Sequence, residues 1–139
     1  ELKGVPVRLE IGPRDLENGV VMAMRRDTLE KFTIPTTELM EKLPALLDDI
    51  QQTLFNQAKD FRDSHTKVVH NMDELGEAVQ DGFAKAMWCG DRACEDAIKE
   101  KFNASSRNMP FDQEGEACGD TCVCCGKKAK KVMYFAKAY

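Results

Sequence analysis

The segment Val5-Pro6-Val7-Arg8-Leu9-Glu10-Ile11 alternates apolar and polar residues, the period-two pattern of a half-buried strand. Pro6 lacks a backbone donor, so this strand begins there or lies at a sheet edge, and Gly12-Pro13 stops it. Arg14 to Glu17 is at most one helical turn, and Asn18-Gly19 is a turn signal. Val20 to Arg25 reads as a second strand, Asp27-Thr28 as a turn and Lys31 to Ile34 as a short third strand. Thirty-five residues of strand and turn cannot close a core alone. The chain opens at Glu1, without Met, inside a strand-like pattern. The expectation is a piece of a longer protein, with the rest of this sheet upstream.

The period then changes. Leu39, Leu43, Leu46, Leu47, Ile50, Leu54, Ala58 and Phe61 recur mostly at three- and four-residue steps, predicting an amphipathic helix to about Asp63. Thr36 or Thr37 is the expected N-cap, with Glu38 suited to the positive end. Pro44 is expected to kink this helix or to split off a short first piece. Beyond His65 the pattern alternates. Thr66 to His70, Phe83 to Trp88, Ser106 to Phe111 and Lys131 to Ala138 read as strands. Met72 to Gln80 and Asp91 to Phe102 read as helices, and residues 112–121 as a polar loop. The order β-α-β-α-β-β predicts an α/β (α+β) chain whose second part is a two-layer sandwich with a mixed sheet. The divisions fall at 1–36, 37–64 and 65–139.

Composition narrows the classes. The 139 residues are 42% hydrophobic and 32% charged, an ordinary globular balance. No apolar run approaches the roughly 18–20 residues of a membrane span, and no secretory leader precedes the first strand. A cytoplasmic protein without membrane attachment is expected. The formal charge of -4 excludes a polyanion binder held by bulk charge, yet the charge is uneven. Residues 73–120 carry twelve acidic and five basic side chains, and residues 126–139 carry five Lys and no acid. A local nucleic-acid site is therefore compatible with the total.

The six cysteines at 89, 94, 118, 122, 124 and 125 gather in the last part of the chain instead of spreading as a disulfide framework does. Cys122-Val123-Cys124-Cys125-Gly126 contains a Cys-x-x-Cys-Gly knuckle. Two residues between thiolates let a tight turn aim both sulfurs at one ion, and the Gly permits positive φ. Cys89-x4-Cys94 supplies a second pair where a strand ends and a helix begins, and a helix N-terminus is expected to favour the thiolate. Together these predict a tetrahedral zinc site of Cys89, Cys94, Cys122 and Cys125, with Cys118 or Cys124 as possible substitutes in the second pair. A thiol redox enzyme and a zinc-stapled protein-interaction module are the competing classes.

Ingredients of catalysis are absent from the pattern. There is no phosphate-cradling Gly-rich loop and no serine-type nucleophile elbow, and His65 and His70 read as ordinary surface or strand residues. Trp88 reads as core. Arg14-Asp15 and Arg25-Arg26-Asp27 lie at strand ends of a predicted hairpin. Guanidinium groups can take two acceptors of guanine, and carboxylates can accept from its N–H groups. On pattern alone, surface ion pairs are the commoner explanation.

The motifs resemble a known family. Gly4 to Asp15 followed by Val21-Met22-Ala23-Met24-Arg25-Arg26-Asp27-Thr28 resembles the late part of the anticodon-binding domain of prolyl-tRNA synthetase. Trp88-Cys89-Gly90-Asp91, Cys94-Glu95, Met109-Pro110-Phe111-Asp112, the Cys-x-x-Cys-Gly-Lys of 122–127 and the terminal Phe135-Ala136-Lys137-Ala138-Tyr139 resemble the extra C-terminal zinc domain of its archaeal/eukaryotic-like form. The resemblance implies a class II aminoacyl-tRNA synthetase, normally a homodimer. The full enzyme joins proline to tRNA(Pro) with ATP and Mg²⁺. No class II catalytic motif lies in these residues, so the piece itself is not expected to aminoacylate. The resemblance also implies a structural Zn²⁺ on four Cys, and a Tyr139 carboxylate directed at the missing N-terminal catalytic domain. Proline codons begin CC, so the anticodon carries two adjacent guanines, which splayed loop bases present to side chains. Glu10, Arg14, Asp15, Arg25, Arg26 and Asp27 are the residues expected to read them.

Overall fold

The computed structural model describes residues 3–137, and the chain divides into two units between Asp60 and Phe61. The first unit carries β1 (Val7–Glu10), α1 (Pro13–Glu17), β2 (Val20–Arg25) and β3 (Lys31–Pro35). The three strands form an antiparallel sheet in the order β1-β2-β3, with Leu9 opposite Ala23 and Val21 opposite Ile34. Val21, Ala23 and Ile34 are its buried centre, flanked by half-buried Val7, Leu9, Phe32 and Leu39. Three fully buried side chains make a thin core, as the short strands imply. Strand β1 begins only after Pro6, whose ring nitrogen has no ladder hydrogen to give.

A single 3-10 turn (Thr36–Glu38) leads into α2 (Leu39–Ser64). One expectation fails at this entry, and of the two outcomes expected at Pro44 the split does not occur. Neither Thr36 nor Thr37 caps the helix. The Thr36 hydroxyl and N–H both donate to the Gly19 carbonyl, at 3.1 and 2.9 Å, and so close the open end of the β2–β3 ladder. Pro44 does not split the helix, which runs uninterrupted with Pro44 in its second turn. There the proline frees only the Met40 carbonyl, on a residue whose side chain is 87% exposed, so water can serve it.

In the second unit, β4 (Thr66–Val69), α3 (Met72–Ala78), β5 (Phe83–Trp88), α4 (Arg92–Phe102), β6 (Ala104–Asn108) and β7 (Lys131–Lys137) follow the predicted β-α-β-α-β-β order. The sheet order is β4-β5-β7-β6. The β4–β5 pair is parallel and the other two are antiparallel, so the sheet is mixed. Leu75, Ala78 and Val79 from the α3 region and Ile98 from α4 pack with Ala84, Ala86, Met133 and Phe135 of the central strands. The intervening residues Lys85, Met87, Val132 and Tyr134 face the other side by the two-residue alternation. Part of that side is covered by the loop over 109–121: Val132 is fully buried, and its N–H donates to Gln113 Oε1 at 2.7 Å.

Helix starts follow local chemistry. The Asn71 side chain accepts from the N–H groups of Asp73 and Glu74, and Asp91 accepts from Ala93. Helix α4 ends at Asn103, in the left-handed region at φ 53°. Strand β6 differs from expectation, since it begins at Ala104 and stops at Asn108. Its register slips between Ser106 and Asn108, Pro110 can donate nothing to a ladder, and Phe111 stands fully exposed.

Candidate metal centre and nucleic-acid interface

The four cysteines of the predicted zinc set meet at one corner of the second unit. Cys89 follows the last residue of β5, and Cys94 lies in the first turn of α4, brought round by the Gly90-Asp91 turn. Cys122 and Cys125 lie in the knuckle. Its base is an antiparallel bridge between Thr121 and Lys128, and Cys122 N–H donates to the Lys127 carbonyl at 2.8 Å. Gly126 takes φ 69°, the left-handed conformation expected after the second Cys, and its N–H donates to the Cys122 carbonyl at 2.9 Å. Val123 N–H to Met87 and Lys130 N–H to Trp88 tie the knuckle to the end of β5. Backbone hydrogen bonds thus bring together two sulfur pairs that are distant in sequence.

The four sulfurs lie within 4.8 Å of one another, with Cys89–Cys94 at 3.6 Å and Cys125–Cys89 at 3.8 Å. A tetrahedron of sulfurs about 2.3 Å from a central ion has edges of about 3.8 Å, so the cluster has the size of a four-thiolate metal site. Three of the four are buried (Cys89, Cys94 and Cys122) and Cys125 is exposed. Such a set can hold a metal ion and leaves it no open position for water. Trp88 packs against the sulfurs while only partly buried, and its Nε1 donates to the Asp91 carbonyl at 3.1 Å.

The thiols are unequal, and not as the helix position suggested. Burial, followed by the neighbouring sulfurs, pushes Cys94 strongly upward despite its place at the start of α4. Burial also raises Cys89. At Cys122 burial acts upward too, but backbone N–H groups of Cys125, Cys124 and Cys89 outweigh it and bring the thiol down to about 7. Cys122 is thus readier to be a thiolate than Cys89 or Cys94. Cys118 lies elsewhere, its sulfur 4.0 Å from the Lys85 carbonyl, and burial raises it. Cys124 packs against the cluster without belonging to the four.

The six residues expected to read an anticodon divide by what already holds them. Arg25 gives Nε and Nη2 to the two oxygens of Asp27, at 2.8 and 2.6 Å, and Nη1 to Asp49 on α2 at 2.7 Å. The Asp27 carboxylate is inaccessible to solvent, and the Arg25 hydrogen bonds hold it below the usual carboxylate range. The Asp15 carboxylate accepts from Gly12 N–H at 2.8 Å, closing the start of α1. Glu10 pairs with Arg8 at 2.6 Å on the exposed face of β1. Arg14 and Arg26 make no side-chain hydrogen bond or ion pair among the described residues. A cavity of about 480 Å³ lies beside Arg26, lined also by Val5, Pro6, Arg8, Met24 and Leu29. Leu29 is 59% exposed and holds φ 61°, a strained conformation for a leucine. Sequence reasoning had no signal for this cavity, because it arises only where the β1 entry and the β2–β3 turn come together. Tyr139 lies outside the described residues.

Comparison with known proteins bears on both sites. Residues 72–139 match the family described as prolyl-tRNA synthetase, C-terminal, and residues 1–46 match the anticodon binding domain family. Proline--tRNA ligase 2 of Bacillus cereus is 51% identical over the whole chain. The proline--tRNA ligases of Oceanobacillus iheyensis and Clostridium novyi are each 50% identical over the whole chain. The chain spans 29% of the length of each of these relatives. With matches to both families in tandem and half of its residues shared with these ligases, the chain belongs to the prolyl-tRNA synthetase family, of which it carries the anticodon-binding and C-terminal regions.

Proposed function

We propose that this chain supplies tRNA recognition and a zinc-stabilised C-terminal domain to a class II enzyme that ligates proline to tRNA(Pro) with ATP and Mg²⁺. The observation that carries the reading is the cluster of four sulfurs in the unit that matches the synthetase's C-terminal family. Zn²⁺ suits four thiolates at this spacing better than hard cations, which take oxygen ligands. Bound there, it would crosslink β5, α4 and the knuckle without performing chemistry.

In the first unit, Arg14 and Arg26 are the side chains available to guanine edges, and Glu10 is an acceptor within reach of exchange with Arg8. Arg25, Asp15 and Asp27 act as positioning residues, since their polar atoms are engaged within the fold. The cavity beside Arg26 offers apolar walls on which a splayed base can stack. The Tyr139 carboxylate is assigned to the catalytic part of a homodimeric, cytoplasmic enzyme. A tag appended after Tyr139 should then lower proline activation and leave metal content unchanged. The reading as a protein-docking module without tRNA preference is not favoured, because it accounts for neither family match.

The decisive experiment is aminoacylation by the full enzyme with tRNA(Pro) variants at the second and third anticodon bases. Arg26→Ala is expected to lose discrimination among them while proline activation persists. Unchanged discrimination in both Arg14→Ala and Arg26→Ala would refute the assignment.

A further inference from the structure

The four sulfurs of the metal set differ in what reaches them. Cys89, Cys94 and Cys122 are only 8%, 6% and 3% exposed, whereas Cys125 is open to solvent. Cys89 is the sulfur that two others touch: it lies 3.6 Å from Cys94 and 3.8 Å from Cys125. Both are contact distances between sulfur atoms. The first pair is shut away from solvent on both sides. The second has one buried sulfur and one that a dissolved reagent meets directly.

We propose that Cys125 is an oxidation site, at which a peroxide joins it to Cys89 as a disulfide and so withdraws two sulfurs from the metal centre. The inference rests on the zinc reading above. Sulfurs that hold a metal ion are thiolates. In the first step the Cys125 thiolate attacks one peroxide oxygen. The O–O bond breaks, and the departing hydroxide takes a proton from solvent as water. Cys125 is then a sulfenic acid, oxidised by two electrons. In the second step the Cys89 thiolate, already in contact, attacks the Cys125 sulfur. The S–O bond breaks, and the hydroxide that leaves takes a second proton from solvent. In sum, two thiolates, one peroxide and two protons give one disulfide and two waters.

The other thiols define the site by contrast. Cys94 also touches Cys89, but neither member of that pair is open to a dissolved oxidant. Cys122 lies in the same knuckle and within 4.8 Å of Cys125, but it is buried, and the sulfur that Cys125 touches is Cys89. Cys118 faces the Lys85 carbonyl, outside the cluster. Cys89 follows β5, and Cys125 is thirty-six residues farther on, so the new bond ties the knuckle to β5 covalently. Cys94, at the start of α4, is left with Cys122 alone, and two sulfurs are too few to close a tetrahedral site. Oxidation thus exchanges a metal crosslink among three elements for a covalent one between two.

The test uses the full chain, purified reduced, with metal content measured before any treatment. That first measurement judges the zinc reading by itself. Hydrogen peroxide is then added, metal release is followed with a chromogenic chelator, and linked peptides are mapped by mass under non-reducing conditions. The expected result is release of the metal together with a Cys89–Cys125 linkage, both reversed by dithiothreitol and added zinc. A chain carrying Cys118→Ser and Cys124→Ser together should release metal at the parent rate with the same linkage, because neither thiol takes part. Cys125→His keeps four donors of the kinds zinc accepts and removes the exposed thiol, so release should slow about tenfold. Release at the parent rate from Cys125→His overturns the proposal. So does a parent map in which Cys89–Cys94 or Cys122–Cys125 stands in place of Cys89–Cys125. If Cys125→His binds no metal, the parent map decides alone. Should the untreated parent carry no metal, the zinc reading fails, and the same map still decides whether peroxide joins Cys89 to Cys125.

Discussion

The guanidinium of Arg25 grips the carboxylate of Asp27 through two parallel hydrogen bonds, 2.8 and 2.6 Å long, and spends its remaining edge on Asp49. This fork-on-fork geometry is what arginine offers to guanine as well, and here a neighbour on the same chain has taken it. Arg25 and Arg26 are adjacent in sequence, and the proposed reading gives them opposite roles. Arg25→Ala should lower the unfolding midpoint of the chain, because it leaves the enclosed Asp27 carboxylate without its partner. Arg26→Ala should leave that midpoint unchanged and instead weaken discrimination among anticodons by about 1–3 kcal/mol per lost bidentate contact. Thermal unfolding and aminoacylation kinetics on the two variants separate the roles.

The same pair sets a pH dependence. The folded-state value of Asp27 is lowered, chiefly by the Arg25 hydrogen bonds. A lowered carboxylate contributes stability that is fully present above its unfolded value of about 3.9 and is lost as pH falls through the folded value. The stability difference between the parent chain and Asp27→Asn should therefore be constant from neutral pH down to about 5 and shrink below about 4. Urea titrations of both proteins across that range measure it.

Much of this fold was legible because each element obeyed one dominant local rule. The strands Val20–Arg25 and Phe83–Trp88 are short, mostly apolar runs bounded by turn residues, and the structure ends them at the predicted residues. The two cysteine pairs were visible as spacing, and Gly126 fixed the turn between Cys125 and Lys127. What escaped the sequence depended on partners distant in the chain. Thr36 looked like a cap, but the Gly19 carbonyl took its hydroxyl. Arg25 looked available, but Asp49, twenty-four residues on, completed its cage. The start of α4 suggested a lowered Cys94 thiol, and burial among sulfurs reversed that sign.

That reversal carries its own prediction. Cys89 and Cys94 bind protons more tightly than free thiols, and a metal must displace those protons to bind. Raising the pH removes the competition, so apparent zinc affinity should increase steadily from pH 6 to pH 8, with protons released on binding. Competition titration against a zinc indicator, paired with calorimetry in buffers of different ionisation enthalpy, reads both quantities. Cys94→Ser and Cys125→Ser should each abolish stoichiometric binding and lower the unfolding midpoint. Unaltered stability in both would separate the cluster from the fold.

The loop over 109–121 is held to the sheet by a side chain that stands in for a strand. Strand β6 stops pairing at Asn108, opposite Tyr134, which leaves the upstream edge of β7 without a neighbour on that side. Gln113 fills the gap. Its Oε1 accepts from Val132 N–H at 2.7 Å, and its Nε2 donates to the Pro110 carbonyl at 2.8 Å. Val132 is fully buried, so water is poorly placed to replace this acceptor. Removing it by Gln113→Ala strands a buried amide hydrogen, which costs about 1–3 kcal/mol. Gln113→Glu keeps an acceptor for the Val132 N–H and loses the Nε2 donations to the carbonyls of Pro110 at 2.8 Å and Val132 at 3.4 Å, so it should cost less than the alanine, which loses these and the acceptor. Hydrogen exchange gives the sharper readout. The Val132 amide should lose protection in Gln113→Ala and keep it in Gln113→Glu, while the Phe135 amide, farther along the paired part of β7, stays protected in both. Equal protection of Val132 in the parent and Gln113→Ala would show that the loop does not hold this edge of the sheet.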